Sequence, residues 1–432
     1  MALIEPKILK GFRDFLPQAE SERKRVQGIL EKTFESFGFV PIDTPVLEYT
    51  EVLLGKGGGE TDKQMYRFRD NGGRDVALRF DLTVPFARFM AAHFHDLYVP
   101  FKRYHIAKVF RGENSQRGRY REFTQCDFDT VGVDCASADF EILLVMRESF
   151  MRLGVTNIEI RLSHRGIFNR MLESLGLGSS SAAVLRAVDK IKKTGEEEVR
   201  SSLREIAGES GASRILDFIR PEASSEETLK KIASLAGGEA EDTLRLSAIF
   251  GWAGALGIGD SFTLDPSITR GLDYYTGIVY ETFLSDIPAI GSVCSGGRYN
   301  DLASLYTRER LPGVGSSIGL DRLLAAMEEL GKKTPASSGA AALVFCEDEA
   351  LLADYHKAAS HLRSEGLCAE VYPEAHKQAR QFAYAEKKGI LFGVFALQAE
   401  RVTLRDLSTR ENLENLSLPE AAALIKKRLS RV

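Results

Sequence analysis

The chain has 432 residues, 44% of them hydrophobic and 27% charged, with a net charge of −4. That length suits two or three domains of an ordinary water-soluble protein, and the near-neutral charge excludes any global pull toward nucleic acid, so such a contact needs a local basic surface. The cysteines Cys126, Cys135, Cys294, Cys346 and Cys368 form no CxxC pair, there is no N-terminal h-region, and no run of about 18 apolar residues occurs, which argues against a zinc site, a disulfide framework, a signal peptide or a membrane span and fits a reducing, cytoplasmic setting.

Val26, Ile29, Leu30, Phe34 and Phe37 fall at helical spacing and predict a helix over 21–37 that breaks at Gly38. Residues 39–42 read as a short strand, with Pro45 at its edge or end. A strand ending near Phe80 leaves Asp81 and Thr83 at its mouth, and 98–131 reads as two strands joined by a polar loop, 112–118. Ile158, Ile160 and Leu162 alternate as in a half-buried strand. From about 166 to 256 the chain is rich in Ala, Leu, Ser, Glu and Lys with helical periodicity, so this stretch reads as a helical insertion between strand-rich blocks; strand texture returns at Ser261. Residues 331–340 read as an exposed linker. Beyond it, strands at 341–346, 369–372, 390–396 and 401–405 alternate with helices at 349–365 and 376–388. A last helix opens on Ser417 and Glu420 at capping-box spacing. The class is α+β, with a small α/β domain over 341–432.

Two runs carry concentrated chemistry. The first is Arg270-Gly271-Leu272-Asp273-Tyr274-Tyr275-Thr276-Gly277, and the second is Ser295-Gly296-Gly297-Arg298-Tyr299. Paired tyrosines offer flat faces and hydroxyls to a polar ring, arginine offers a permanent cation, and glycines admit close backbone approach. A plain turn leading into the aromatic-rich stretch 278–283 is the alternative for either run alone. The stretch 102–121 holds seven Lys/Arg (Lys102, Arg103, Lys108, Arg111, Arg117, Arg119 and Arg121) against one acid, Glu113. It suggests a polyanion partner, a solvated basic loop being the alternative. His93 and His95 have no partners that would make a metal pair, so no metal-binding residues are expected. The run Gly55-Lys56-Gly57-Gly58-Gly59-Glu60 lacks phosphate-loop spacing and reads as a mobile active-site loop.

Taken together, these runs resemble the two signature motifs of histidyl-tRNA synthetases. Phe110-Arg111-Gly112-Glu113, Gly118-Arg119-Tyr120-Arg121-Glu122-Phe123, Gln125 and Asp129 resemble class II motif 2 in its histidyl form. Gly313-Val314-Gly315-Ser316-Ser317-Ile318-Gly319-Leu320-Asp321-Arg322-Leu323 resembles motif 3, and the region 22–45 resembles motif 1. The resemblance implies a catalytic domain over 1–330 built on an antiparallel sheet, a linker at 331–340, and a C-terminal domain of anticodon-binding type at 341–432. Lys377 to Ala385 resembles that domain's helix, although the 13 Lys/Arg of 341–432 are matched by 13 Asp/Glu.

It further implies ATP-dependent activation of L-histidine to the adenylate and transfer to the 3′ end of tRNA(His), with Mg²⁺ accompanying ATP. By that resemblance Arg111 and Arg270 would grip the α-phosphate from opposite sides. Glu113 and Phe123 would hold adenine, while Arg119 and Arg322 would reach the terminal phosphates. Asp81, Thr83 and Gln125 would take the ammonium. Asp129 and Tyr275, with Tyr274 and Tyr299 close by, would take the imidazole ring. Gln116 and Arg117 would meet the tRNA acceptor end. Motif 1 implies a homodimer, and Phe34 and Phe37 look hard to bury together in one thin layer. A histidine-binding regulatory subunit of ATP phosphoribosyltransferase is the alternative. It would not need Arg111, Glu113, Phe123, Arg270 and Arg322 together, nor the C-terminal domain.

Overall fold

The computed structural model describes residues 3–55, 63–114, 116–269, 274–332, 339–398 and 401–430. Arg270 and its neighbours Gly271, Leu272 and Asp273, the glycine-rich run from Lys56 to Glu60, and residues 333–338 of the expected linker lie outside them. The chain divides into two compact units, Met1–Asp14 with Arg23–Lys333 and Phe15–Glu22 with Thr334–Val432.

Among the described residues, eight strands of the first unit form one sheet. In chain order its strands and those of a small satellite sheet are β1 (Val40–Pro41), β2 (Leu47–Tyr49), β3 (Arg67–Arg69), β4 (Asp75–Leu78), β5 (Phe101–Phe110), β6 (Glu122–Val131), β7 (Ile158–His164), β8 (Phe262–Leu264), β9 (Ile278–Leu284), β10 (Cys294–Tyr299) and β11 (Gly313–Gly319). The large sheet runs β1-β5-β6-β11-β10-β9-β7-β8, and β2-β4-β3 makes the satellite. Five of the seven pairings in the large sheet are antiparallel; β1–β5 and β7–β8 are parallel.

The hairpin β5–β6 positions the site. Its loop sets the register from Phe110↔Glu122 to Phe101↔Val131. Successive side chains on a strand face opposite ways. On β6, Cys126 and Phe128 therefore face the helices, where Phe34 lies 4.8 Å from Phe128, ring centre to ring centre. Gln125, Asp127 and Asp129 point to the other face, and all three are buried. A strand that is apolar on one side and acidic on the other, yet covered on both, marks where function rather than packing chose the residues.

Two sequence expectations change here. Lys102, Arg103 and Lys108 belong to β5 and not to a basic loop, and Arg103 is wholly buried. Phe34, on the helix Pro17–Ser36, is also wholly buried, packed on Phe128 and Tyr104 of its own chain. Only the half-buried Phe37 is left of the argument from two stranded aromatics.

The expected helical insertion spans from the helix Arg165–Ser174 to the helix Glu241–Ala255, between β7 and β8. A buried ionic clasp ties it to the sheet. Asp139, on the helix Ala136–Arg152, has no exposed surface. It accepts from Arg298 Nε of β10 at 2.8 Å and from Arg245 Nε of the helix Glu241–Ala255 at 2.6 Å.

The second unit carries β12 (Ala342–Val344), β13 (Ala369–Val371), β14 (Phe392–Gln398), β15 (Arg401–Asp406) and β16 (Asn412–Ser417) in the order β13-β12-β14-β15-β16. The helices Leu352–Ser364, Gln378–Lys388 and Leu418–Leu429 accompany them. The capping box is present: Ser417 Oγ accepts from Glu420 N, and Glu420 Oε2 accepts from Ser417 N at 2.8 Å. Gln381, within the helix singled out by resemblance, is wholly buried. It bonds Cys346 N and O and His376 O, so it fixes the fold.

Candidate active site

A cavity of about 500 Å³ opens on the acidic face of β6. Its floor exists because β10 and β11 carry glycines where side chains would collide. A Cβ on Gly296 would lie 2.2 Å from the Gly315 carbonyl oxygen, and one on Gly297 would lie 2.9 Å from Tyr275 Cδ1. A Cβ on Gly313 would lie 2.3 Å from Tyr299 Cε2. These glycines make room for tyrosine rings and for close packing of β10 on β11.

One end of the cavity is acidic and aromatic. Tyr299 Oη donates to Asp129 Oδ1 at 2.5 Å. The rings of Tyr274 and Tyr275 stand edge to face at 4.9 Å, with Tyr299 6.0 Å from Tyr274. Asp81 precedes the helix Thr83–His93 and accepts from Val84 N at 3.1 Å; Tyr274 Oη reaches its other oxygen at 3.5 Å. Burial pushes the Asp81 carboxyl up to about 6, against the pull of the Val84 N–H and Arg111. Burial also pushes Asp127 up to about 7, with Arg103 opposing and Asp129 adding to the rise. Burial and the nearby Asp129 carboxylate raise the Tyr275 hydroxyl, which stays protonated and able to donate. In the cavity, Gln125 Oε1 makes no hydrogen bond among the described residues, and Asp129 Oδ2 meets only the Arg103 guanidinium, 2.8 Å away, as an ion pair. The Gln125 amide nitrogen is spent on Ser317 Oγ at 2.7 Å. Buried acceptors with hydrogen-bonding capacity to spare in a cavity suit a ligand with N–H donors.

The other end is cationic. Arg111 Nε donates to the Phe80 carbonyl at 2.8 Å, and its guanidinium lies 3.8 Å from Glu113 and 5.2 Å from the Phe123 ring centre. Arg119 lies in a turn closed by backbone bonds between Gln116 and Arg119, at 3.1 and 2.8 Å. Gly118 (φ 71°) lets this turn approach the helix Leu320–Glu329, where its Cβ would be 3.4 Å from Arg322 Cα. Arg322 bonds the Ser292 carbonyl.

The fold brings Asp81, Thr83, Arg111, Glu113, Arg119, Gln125, Asp129, Tyr274, Tyr275, Tyr299 and Arg322 around this one cavity. Phe123 lies beneath Arg111 instead of on the lining. Gln116 and Arg117 sit exposed at the loop tip, Arg117 3.1 Å from Glu329. The sequence reading missed Asp127 and misplaced Arg103. Strand alternation from Gln125 would have found the first. Counting back from the hairpin loop would have set Arg103 opposite Asp129, since Phe110 pairs with Glu122.

A family model described as histidyl-tRNA synthetase matches residues 11–323. The chain belongs to the histidyl-tRNA synthetase family. A second model, described as anticodon binding domain, matches residues 335–428. A histidine–tRNA ligase of Treponema denticola is 52% identical, with 99% of each chain covered. One from Rhodopirellula baltica is 46% identical over 95% of each. The crystal structure of histidyl-tRNA synthetase from Nostoc sp. PCC 7120 superposes with a TM-score of 0.86 at 32% identity, covering 99% of this chain and all of the other. The antiparallel-rich sheet of the first unit is thus the class II synthetase catalytic fold of this family, joined to a domain of anticodon-binding type.

Proposed function

We propose that the protein is a histidine–tRNA ligase that activates L-histidine with ATP and passes the histidyl group to the 3′ end of tRNA(His). The observation that carries this reading is a pair of buried acceptors with hydrogen-bonding capacity to spare, Gln125 Oε1 and the Arg103-paired Asp129 Oδ2, in a cavity whose far end holds Arg111, Arg119 and Arg322. Histidine presents N–H donors at both its ammonium and its ring, and ATP presents the anions.

Asp81, Thr83 and Gln125 hold the ammonium. Asp129 accepts from one ring nitrogen, and Tyr275, beside Tyr274 and Tyr299, engages the other. Requiring a partner at each nitrogen rejects side chains that lack one, because a buried group is then left unpaired. Glu113 accepts from the adenine amino group, Phe123 and Arg322 cover the ring, and Arg119 and Arg322 meet the terminal phosphates. Mg²⁺ enters with ATP as part of the substrate, held mainly by phosphate oxygens.

An oxygen of the histidine carboxylate forms a bond to the α-phosphorus while the bond to the bridging oxygen breaks and pyrophosphate leaves. Such a step needs in-line placement and cations around the phosphorus more than proton transfer. Arg111 supplies one cation; Arg270, by the family's motif, supplies the other. The acyl group then moves to the tRNA, whose acceptor end meets Gln116 and Arg117 and whose anticodon meets residues 341–432. The catalytic domain spans 1–330, with 331–340 as linker. The working unit is a homodimer through 22–45, in the cytoplasm.

Histidine-dependent exchange of labelled pyrophosphate into ATP tests the reading. A ligase catalyses it; a histidine-binding regulator shows none.

A further inference from the structure

We propose that Arg103 is a positioning residue for the ring end of the histidine pocket: it holds the Asp129 carboxylate and acts on the substrate only through it. This rests on the function proposed above. Arg103 has no exposed surface and does not line the cavity, so any effect on a ligand passes through a neighbour. Burying a guanidinium is costly unless it is paired, and its pairing is unusually directed. It lies straight across the β5–β6 ladder from Asp129, with Nη2 2.8 Å from Asp129 Oδ2 and 4.0 Å from Asp127 Oδ2. The same nitrogen is 3.5 Å from the Leu82 carbonyl, between Asp81 and Thr83. One buried cation therefore touches the ring end and the ammonium end of the pocket.

Its plane is fixed by stacking, 4.2 Å above the centre of the Phe86 ring. Among the described residues Nε and Nη1 make no hydrogen bond, so its polar contacts there are confined to the side that faces the pocket's carboxylates and Leu82. The approach to Asp129 Oδ2 is an ion pair without hydrogen-bond geometry, while Tyr299 bonds Oδ1 at 2.5 Å. The carboxylate is thus held at both oxygens and still keeps an acceptor at Oδ2 for a ring N–H. A hairpin that needed only a satisfied arginine would have bonded its remaining nitrogens.

The test compares Arg103→Met, Arg103→Lys, Asp129→Asn and Arg103→Met/Asp129→Asn in the full chain. Histidine binding is read by calorimetry, KM for histidine and for ATP by pyrophosphate exchange, and folding by thermal melting. Arg103→Met should weaken histidine binding and raise its KM by about tenfold or more, leaving the KM for ATP within about twofold; Arg103→Lys should recover part of the loss. The double variant should bind histidine no worse than Asp129→Asn, because coupled residues are not additive. Equal rises in both KM values, additive losses, or histidine binding unchanged in Arg103→Met would overturn the proposal. So would failure of both Arg103 variants to fold, which would make the residue a scaffold part. Calorimetry needs no catalysis, so it judges Arg103 even if the parent shows no exchange, a result that would sink the ligase reading instead.

Discussion

Gly315 lies directly across the β6–β11 ladder from Asp129, and a Cβ on it would stand 1.9 Å from Asp129 Oδ1. The Phe128 carbonyl oxygen would be 2.8 Å from the same point, so backbone as well as side chain would have to move. Gly315→Ala should displace the carboxylate from Tyr299 and lower kcat/KM for histidine roughly a hundredfold, about 2.7 kcal/mol. Exchange kinetics at varied histidine measure this. A value within twofold of the parent would mean that Asp129 does not meet the substrate.

Asp81 links the site to pH. Its folded value, raised to about 6 by burial, lies above the ordinary carboxyl range. Its protonated form therefore favours folding at low pH, and that contribution is lost as pH rises through about 6. His105 and His164, lowered by burial to about 3 and about 4, act in the opposite sense, their contribution being lost as pH falls, so the parent's own profile mixes both signs. The difference between Asp81→Asn and the parent isolates the carboxyl. The variant should come within about 1 kcal/mol of the parent near pH 4 and exceed it near pH 8 by about 3 kcal/mol without ligand, while binding histidine less well. Denaturant titrations at both pH values decide it; a difference independent of pH would remove Asp81 as the titrating group.

The clasp Arg298–Asp139–Arg245 predicts a large stability effect away from the cavity. Asp139→Ala leaves two largely buried guanidiniums to share Asp134, 2.8 Å from Arg245 and 3.3 Å from Arg298, a loss that costs about 3 kcal/mol, the low end for a broken buried pair. Urea unfolding of the two proteins measures it. A loss below about 1 kcal/mol, the size of an exposed pair, would mean that water reaches the cluster.

Removal of 335–432 should leave histidine-dependent exchange largely intact and reduce aminoacylation of tRNA(His) sharply. The charge-dependent part of the RNA contact should weaken with salt. Undiminished aminoacylation by the shortened chain would give the charge-balanced C-terminal domain another partner.

Much of this was legible in the chain, and the failures share a cause. The β5–β6 hairpin, the helical segment and the alternating C-terminal unit follow from periodicity, and the glycines of β10 were read as sites of close approach. Arg103 was misread because charge was summed along a stretch, whereas its meaning depends on which residue faces it across a ladder. Phe34 was misjudged because the depth of a helix–strand layer depends on Phe128 and Tyr104, far away in sequence. β16 was missed because Asn412–Ser417 has no β-branched or aromatic residue; its pairing with β15 supplies what propensity lacks.

The parallel pairing of β7 with β8, Ile160 opposite Phe262, changes what the helical segment between them is. Neighbouring parallel strands cannot be joined by a tight turn; the chain must travel back the length of the first strand, which takes about a dozen residues or more. The segment is therefore the return path of a crossover as well as an added body. A shortened chain, whether pruned by evolution or by design, can lose bulk there only down to that limit. Below it, β8 must reverse direction or leave the sheet, and β7 becomes an open edge.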